Sequence, residues 1–216
     1  MSTATPPPDD ARPRAPFQAE RVGAFVDAVV AIAMTLLILP LMESVSDVAS
    51  AGDDTLRWLG AHEQQFLSFL VSFVIIAMFW MIHHRLFVGV HAVTTTLMWM
   101  LVGWLLTIVW LPVATAISGA MPGDDKLAKV VYIGSMIATS LFSLAIRLYL
   151  RRNTWLHEHP PSYLLAGIAA DITTATLFGV ALALSLVIPG IGYYSMFVML
   201  LGPFAQRLTR RMLAAA

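Results

Sequence analysis

Cysteine is absent from the 216 residues, which excludes disulfides, thiolate metal sites and a cysteine nucleophile. Charge is scarce: Asp, Glu, Lys and Arg together make up 12%, against about 25% in soluble domains. Neither G-x-x-x-x-G-K-[ST] nor G-x-S-x-G occurs, so phosphate-loop and nucleophile-elbow chemistry find no support. Nucleic-acid binding finds none either, because the basic C-terminal R-L-T-R-R reads as a membrane-surface anchor. What fills the chain is apolar: 58% hydrophobic residues and a mean hydropathy of +0.77. That composition describes an all-α membrane protein that crosses the bilayer several times.

Taken in order, residues 1–16 are Pro-rich and polar and read as a disordered tail. Residues 17–216 read as one transmembrane domain. A first helix is expected from about Val22 to Met42, with Pro40 near its end, and it is longer than the apolar core of a signal peptide. An acidic Ser/Gly-rich loop follows. The second helix is expected to begin near Trp58 or Gln64 and run to about His84. A third covers about Val90 to Ile117, with Pro112 as a kink or early stop. The fourth runs from about Leu127 to Leu150, the fifth from about Ser162 to Ile188, and a short sixth from about Tyr193 to Leu208. The expectation is therefore six transmembrane helices. With both termini cytoplasmic, the inner segments hold Arg12, Arg14, Arg21, Arg85, Arg147, Arg151, Arg152, Arg207, Arg210 and Arg211. The outer segments hold only Arg57, Lys126 and Lys129, a bias that fits the positive-inside rule.

The first helix carries a single acid, Asp27, one to two turns inside the span. A charge there costs about 2.5–3.5 kcal/mol on insertion scales, so it should face protein or water. At 100° per residue, Phe25, Ala28, Val29, Ile32, Leu36 and Leu39 form a stripe bordered by Thr35, with Asp27 roughly 140° from Ile32. Ordinary packing accounts for such a stripe when it stands alone. Arg21, Asp27, Trp80 and His83 suit a buried polar cluster holding helices together, and an intramembrane Asp–His pairing also suits a proton relay. His84 and His91 lie seven apart with no flanking acid, which argues against a metal site. His157 and His159 read as solvated loop residues beside Glu158. Asp171, with Thr173, Thr174 and Thr176, is a second intramembrane acid that suits a helix–helix hydrogen-bond patch, a cation-attracting vestibule or a contact between subunits.

Two segments resemble a known family. Arg21, Phe25 and Asp27 resemble the R-x-x-x-F-S-D motif of the endosomal and lysosomal potassium channels (the transmembrane protein 175 family) and their single-repeat bacterial relatives, with Val26 where that family usually has Ser. Trp80, His83, Arg85, Leu86 and Phe87 match a second family stretch, W-x-x-H-x-R-L-F. The resemblance implies that the first helix lines a central pore in a homotetramer. It implies a pore constriction at Ile32, with Leu36 and Leu39 further along and Thr35 bearing on selectivity. It further implies that Arg21, Phe25, Asp27, Trp80 and His83 form a polar network tying the first helix to its neighbours. The expected function is a potassium-permeable cation channel in a bacterial inner or plasma membrane, not an enzyme, with K⁺ as permeant ion and no cofactor. No T-V-G-Y-G filter is present, so selectivity is expected to be weak to moderate. The competing expectation is a proton-coupled secondary transporter using the intramembrane Asp and His residues.

Overall fold

The computed structural model describes residues 17–51 and 55–188, with five isolated positions (198, 202, 206, 207 and 209) nearer the C-terminus. The tail at 1–16 and the sixth span expected near Tyr193–Leu208 lie outside the described residues. Seven α-helices are described: α1 (Ala19–Leu36), α2 (Leu39–Ala51), α3 (Thr55–Ala61), α4 (Glu63–Phe87), α5 (Thr95–Ala120), α6 (Lys126–Arg152) and α7 (Pro161–Val187). Five segments are long and apolar enough to cross a membrane: Ala19–Val45, α4, α5, α6 and α7. At 1.5 Å per residue, 25 residues reach about 37 Å, enough for a core of roughly 30 Å with some tilt. A two-residue antiparallel ribbon, β1 (Phe17–Gln18) with β2 (Ala92–Val93), joins the start of α1 to the α4–α5 loop.

The first span is interrupted rather than ended at Pro40. Proline has no N–H for the carbonyl four residues back and disfavours helical geometry in the residue before it. The chain makes a tight turn, Ile38 N–H to Thr35 C=O at 3.3 Å, and restarts with Pro40 in the first turn of α2, where a missing donor is harmless. The acidic stretch after Met42, expected as a loop, instead continues α2 to Ala51. It holds no Gly or Pro before Gly52. Pro112 likewise does not stop α5, which runs on to Ala120. Only one carbonyl, that of Ile108, loses its helical donor there.

Local sequence sets the other boundaries. Thr94 caps α5 by accepting from Leu97 N–H at 3.2 Å. Asp125 caps α6 by accepting from Leu127 and Ala128 N–H at 2.8 and 3.0 Å. Pro161 occupies the first turn of α7. The core between α4, α5, α6 and α7 is closed by Trp104, Tyr132, Phe178, Ile76, Ile108 and Met136, all inaccessible to solvent.

α6 turns a polar stripe inward: Lys129, Tyr132, Thr139, Ser140 and Arg147 are all buried. Tyr132 Oη lies 2.8 Å from Ser72 Oγ on α4, which also accepts from Thr115 Oγ1 on α5 at 2.8 Å. Trp104 Nε1 donates to Ser143 Oγ at 3.0 Å. In a membrane these cross-helix bonds contribute specificity and on the order of 0.6 kcal/mol each. Lys129 donates to the Ser185 carbonyl at 3.0 Å, placing a cation at the negative end of α7.

Candidate functional site: the two faces of α1 and the Asp27 contact

α1 is apolar on nearly all sides, yet only one face is covered. Ala19, Val22, Val26, Val30, Ala33, Leu37 and Leu41 recur at steps of three and four and are buried against α4 and α5. The opposite face is open: Phe25 is 59%, Ile32 60% and Leu39 48% exposed, while Val26, Val30 and Ala33 are at most 1%. Ile32, Thr35, Leu36 and Leu39, the residues expected at a constriction, therefore all lie on the uncovered face. Thr35 Oγ1 donates to the Ile32 carbonyl at 2.7 Å, so its proton is used within the helix while its oxygen lone pairs stay available.

Asp27 sits at the edge between the two faces. Trp80 Nε1 on α4 donates to Asp27 Oδ1 at 2.7 Å, a charge-assisted bond. One turn on, His84 Nδ1 stands 3.6 Å from Asp27 Oδ2, and its ring lies 5.6 Å from that of Trp80. The spacing of four puts Trp80 and His84 on one face of α4, toward Asp27. The side chains of His84 and Asp27 remain 51% and 39% exposed.

The expected five-residue network is thus only partly assembled. Asp27 and Trp80 meet. His83 does not join them: it is 5% exposed and turned into the core, stacked on Phe87 and Trp104 at centroid distances of 4.5 and 4.3 Å. Its Nε2 has no hydrogen-bond partner among the described residues. The physical reason is a 100° step: at consecutive helix positions only one imidazole can face Asp27, and it is His84. Arg21 makes no ion pair with Asp27. It is exposed and lines a cleft of about 460 Å³ with Phe17, Gln18, Val22, Phe25 and Met98. Phe25 contributes to that cleft and to the uncovered face rather than to the Asp27 contact.

A second polar centre lies deeper. Arg147 Nε on α6 donates to Asp171 Oδ2 on α7 at 2.8 Å, with side chains 4% and 6% exposed. Of the readings open for Asp171, the structure supports the helix–helix one. Arg147 is no surface cation, as a topology count assumes. Gly167, one turn before Asp171, lets the guanidinium in: a Cβ at that position would collide with Arg147.

The histidines of the α6–α7 loop are not free in solvent either. His157 is 8% exposed, and its Nε2 lies 3.0 Å from the Leu150 carbonyl at the end of α6. His159 Nε2 lies 2.7 Å from the Leu86 carbonyl at the end of α4. Both carbonyls lie at helix ends, and that of Leu150 also accepts from Asn153 N–H at 3.0 Å. Among the described residues no three His, Cys, Asp or Glu side chains are grouped to hold a metal ion.

Comparison with known proteins follows this geometry. The family model described as endosomal/lysosomal potassium channel TMEM175 matches residues 21–112, from the Arg21 end of α1 into α5. A potassium channel of Streptomyces collinus is 33% identical over 143 residues, covering 64% of this chain and 67% of that protein. The mouse endosomal/lysosomal proton channel TMEM175 is 34% identical over 140 residues, covering 61% of this chain. The match takes in only 28% of the mouse protein's length. Among solved structures, the crystal structure of a lysosomal potassium-selective channel TMEM175 homologue from Chamaesiphon minutus aligns with a TM-score of 0.69 at 24% identity. That alignment covers 88% of this chain and 97% of the other, a likeness of fold.

Proposed function

The chain belongs to the endosomal/lysosomal potassium channel TMEM175 family, an ion-channel family and not an enzyme family, and on that premise we propose that it forms a potassium-permeable cation channel whose pore is lined by α1. The observation that carries this reading is the open face of α1, apolar from Phe25 to Leu39 and flanked by a half-exposed ionisable pair. An apolar face alone suits lipid. Asp27 and His84 do not: an ionisable pair at that depth needs protein or water over it. One chain supplies one such helix, and one helix cannot enclose a pore, so the reading requires several copies about an axis. A homotetramer is the proposed assembly.

In that assembly Ile32, Leu36 and Leu39 form successive apolar rings, and the narrowest excludes water and gates by dewetting. Thr35 borders the same stretch, and the chain has no T-V-G-Y-G filter to supply a carbonyl cage. Selectivity for K⁺ over Na⁺ is accordingly weak to moderate. The Asp27–Trp80 bond holds α1 at fixed rotation against α4, so that Ile32 keeps its inward facing. With the expected sixth span, the remaining cation bias favours both termini on the cytoplasmic side of a bacterial plasma membrane. K⁺ is the permeant ion, and no cofactor is invoked.

A second reading is proton movement, either through the pore or coupled to a transported solute. It is favoured by the half-exposed Asp27–His84 pair and by the proton-channel name of the mouse relative. One experiment separates the readings: recording from purified protein in planar bilayers with K⁺ on one side and Na⁺ on the other, repeated under a pH gradient. Unitary currents that reverse toward the K⁺ potential support the channel as proposed. Unitary currents that follow the proton gradient alone support proton permeation, and slow flux without unitary events overturns the channel reading.

A further inference from the structure

The uncovered face does not end at Leu39. Beyond the turn at Leu37–Ile38 the buried side continues through Leu37, Leu41 and Ser44, so α2 keeps the facing of α1 despite the break. On the opposite side Leu39 and Met42 remain 48% and 60% exposed, and Glu43 is exposed beside them. Eleven positions separate Ile32 from Glu43, which at 100° per residue returns to within about 20° of the same direction. The axial distance is about 16 Å at 1.5 Å per residue. The carboxylate therefore shares the azimuth of Ile32 and stands about three turns beyond it, close to where the apolar span ends at Val45. No Lys or Arg occurs anywhere in α2, and among the described residues no ion pair engages Glu43. The opposite end of the same face carries Arg21.

We infer that Glu43 is a conductance-determining residue: copies of it around the pore axis form a carboxylate ring at the mouth opposite Arg21, concentrating cations ahead of the Ile32–Leu39 constriction. This rests on the channel reading above. The ring stands about 16 Å from Ile32, too far to touch an ion at that residue, so it acts there through its field. Charges lining a low-dielectric mouth raise the local counter-ion concentration. The field reaches about 30 Å at 0.01 M salt and about 3 Å at 1 M, so the effect is confined to dilute salt.

The test is unitary K⁺ conductance of the full chain in symmetric 20 mM and 1 M KCl, comparing wild type with Glu43→Gln, Glu43→Lys and, as an acid on the same side of the membrane but outside α1 and α2, Asp124→Asn. We expect Glu43→Gln to lower conductance about twofold at 20 mM and by less than about 1.2-fold at 1 M. Glu43→Lys should lower it further, and Asp124→Asn should leave it unchanged. Wild-type currents matched by Glu43→Gln at 20 mM overturn this inference while leaving the channel reading intact. An equal loss in both salts also overturns it, since a changed pore shape is not screened by salt. A wild type without unitary currents overturns both.

Discussion

Removing the carboxylate of Asp171 while leaving Arg147 in place should be among the most destabilising single changes in this chain. Asp171→Leu strands a guanidinium whose side chain is 4% exposed between α6 and α7. Breaking a buried pair from one side costs about 3–5 kcal/mol, because the remaining charge keeps its desolvation penalty without its partner. The reciprocal change Arg147→Met leaves a carboxylate that is 6% exposed and should cost a similar amount. The double variant removes both charges together. It should recover most of the loss, so the coupling energy between the two sites should exceed either single loss, about 3–5 kcal/mol or more. Reversible unfolding in mixed detergent, followed by far-UV circular dichroism, measures each corner of the cycle. Two strictly additive single losses would refute the ion pair as an energetic unit. So would an Asp171→Leu variant as stable as wild type.

Ile32→Asn should wet the constriction and raise unitary conductance several-fold; recordings identical to wild type in an intact assembly would remove Ile32 from the permeation path. Trp80→Phe deletes the 2.7 Å bond to Asp27 and should cost about 1.5–3 kcal/mol. His84→Ala, whose contact is 3.6 Å and half-exposed, should cost less than about 1 kcal/mol; the order of the two midpoints in a detergent melt is the check. Gly167→Ala should push the Arg147 guanidinium off Asp171 and lower the melting point markedly, whereas Gly23→Ala, where a Cβ meets nothing within 4 Å, should not lower it.

The spans were legible in the sequence because a bilayer imposes a length that little else in a chain of this size requires. The open face of α1 was legible as well, since a step of 100° per residue gathers Phe25, Ile32, Leu36 and Leu39 into one stripe, but the buried face through Val26, Val30 and Ala33 was not picked out. That Asp27 faces protein or water followed from the cost of a lone intramembrane acid, whereas Trp80 entered only through the family resemblance. The choice between His83 and His84 was not legible from composition, because both rings fit chemically and only the rotation of α4 decides. Arg147 was hidden by a different cause. Counting cations by segment treats each as a loop residue, and only the inward stripe Tyr132, Thr139, Ser140, Ser143 and Arg147 on α6 reveals its direction. His157 and His159 were masked by a polar neighbourhood that reads as solvent. What holds them is a pair of helix-end carbonyls, Leu150 seven residues before His157 and Leu86 73 residues before His159.

Those two histidines bear on how the protein is made. The Leu86 carbonyl at the end of α4 waits for an imidazole 73 residues further along the chain. Synthesis at about 5–20 residues per second puts several seconds between the two. During that interval α5 and α6 are still being made, and the Leu86 carbonyl lacks the His159 imidazole. Arrival of the α6–α7 loop closes both ends at once and, through Glu158 N–H to the Gly89 carbonyl at 2.9 Å and His91 N–H to the Leu156 carbonyl at 2.9 Å, stitches the two loops together. The α4 end is therefore completed only once residue 159 has emerged, after four of the five described spans and before the last.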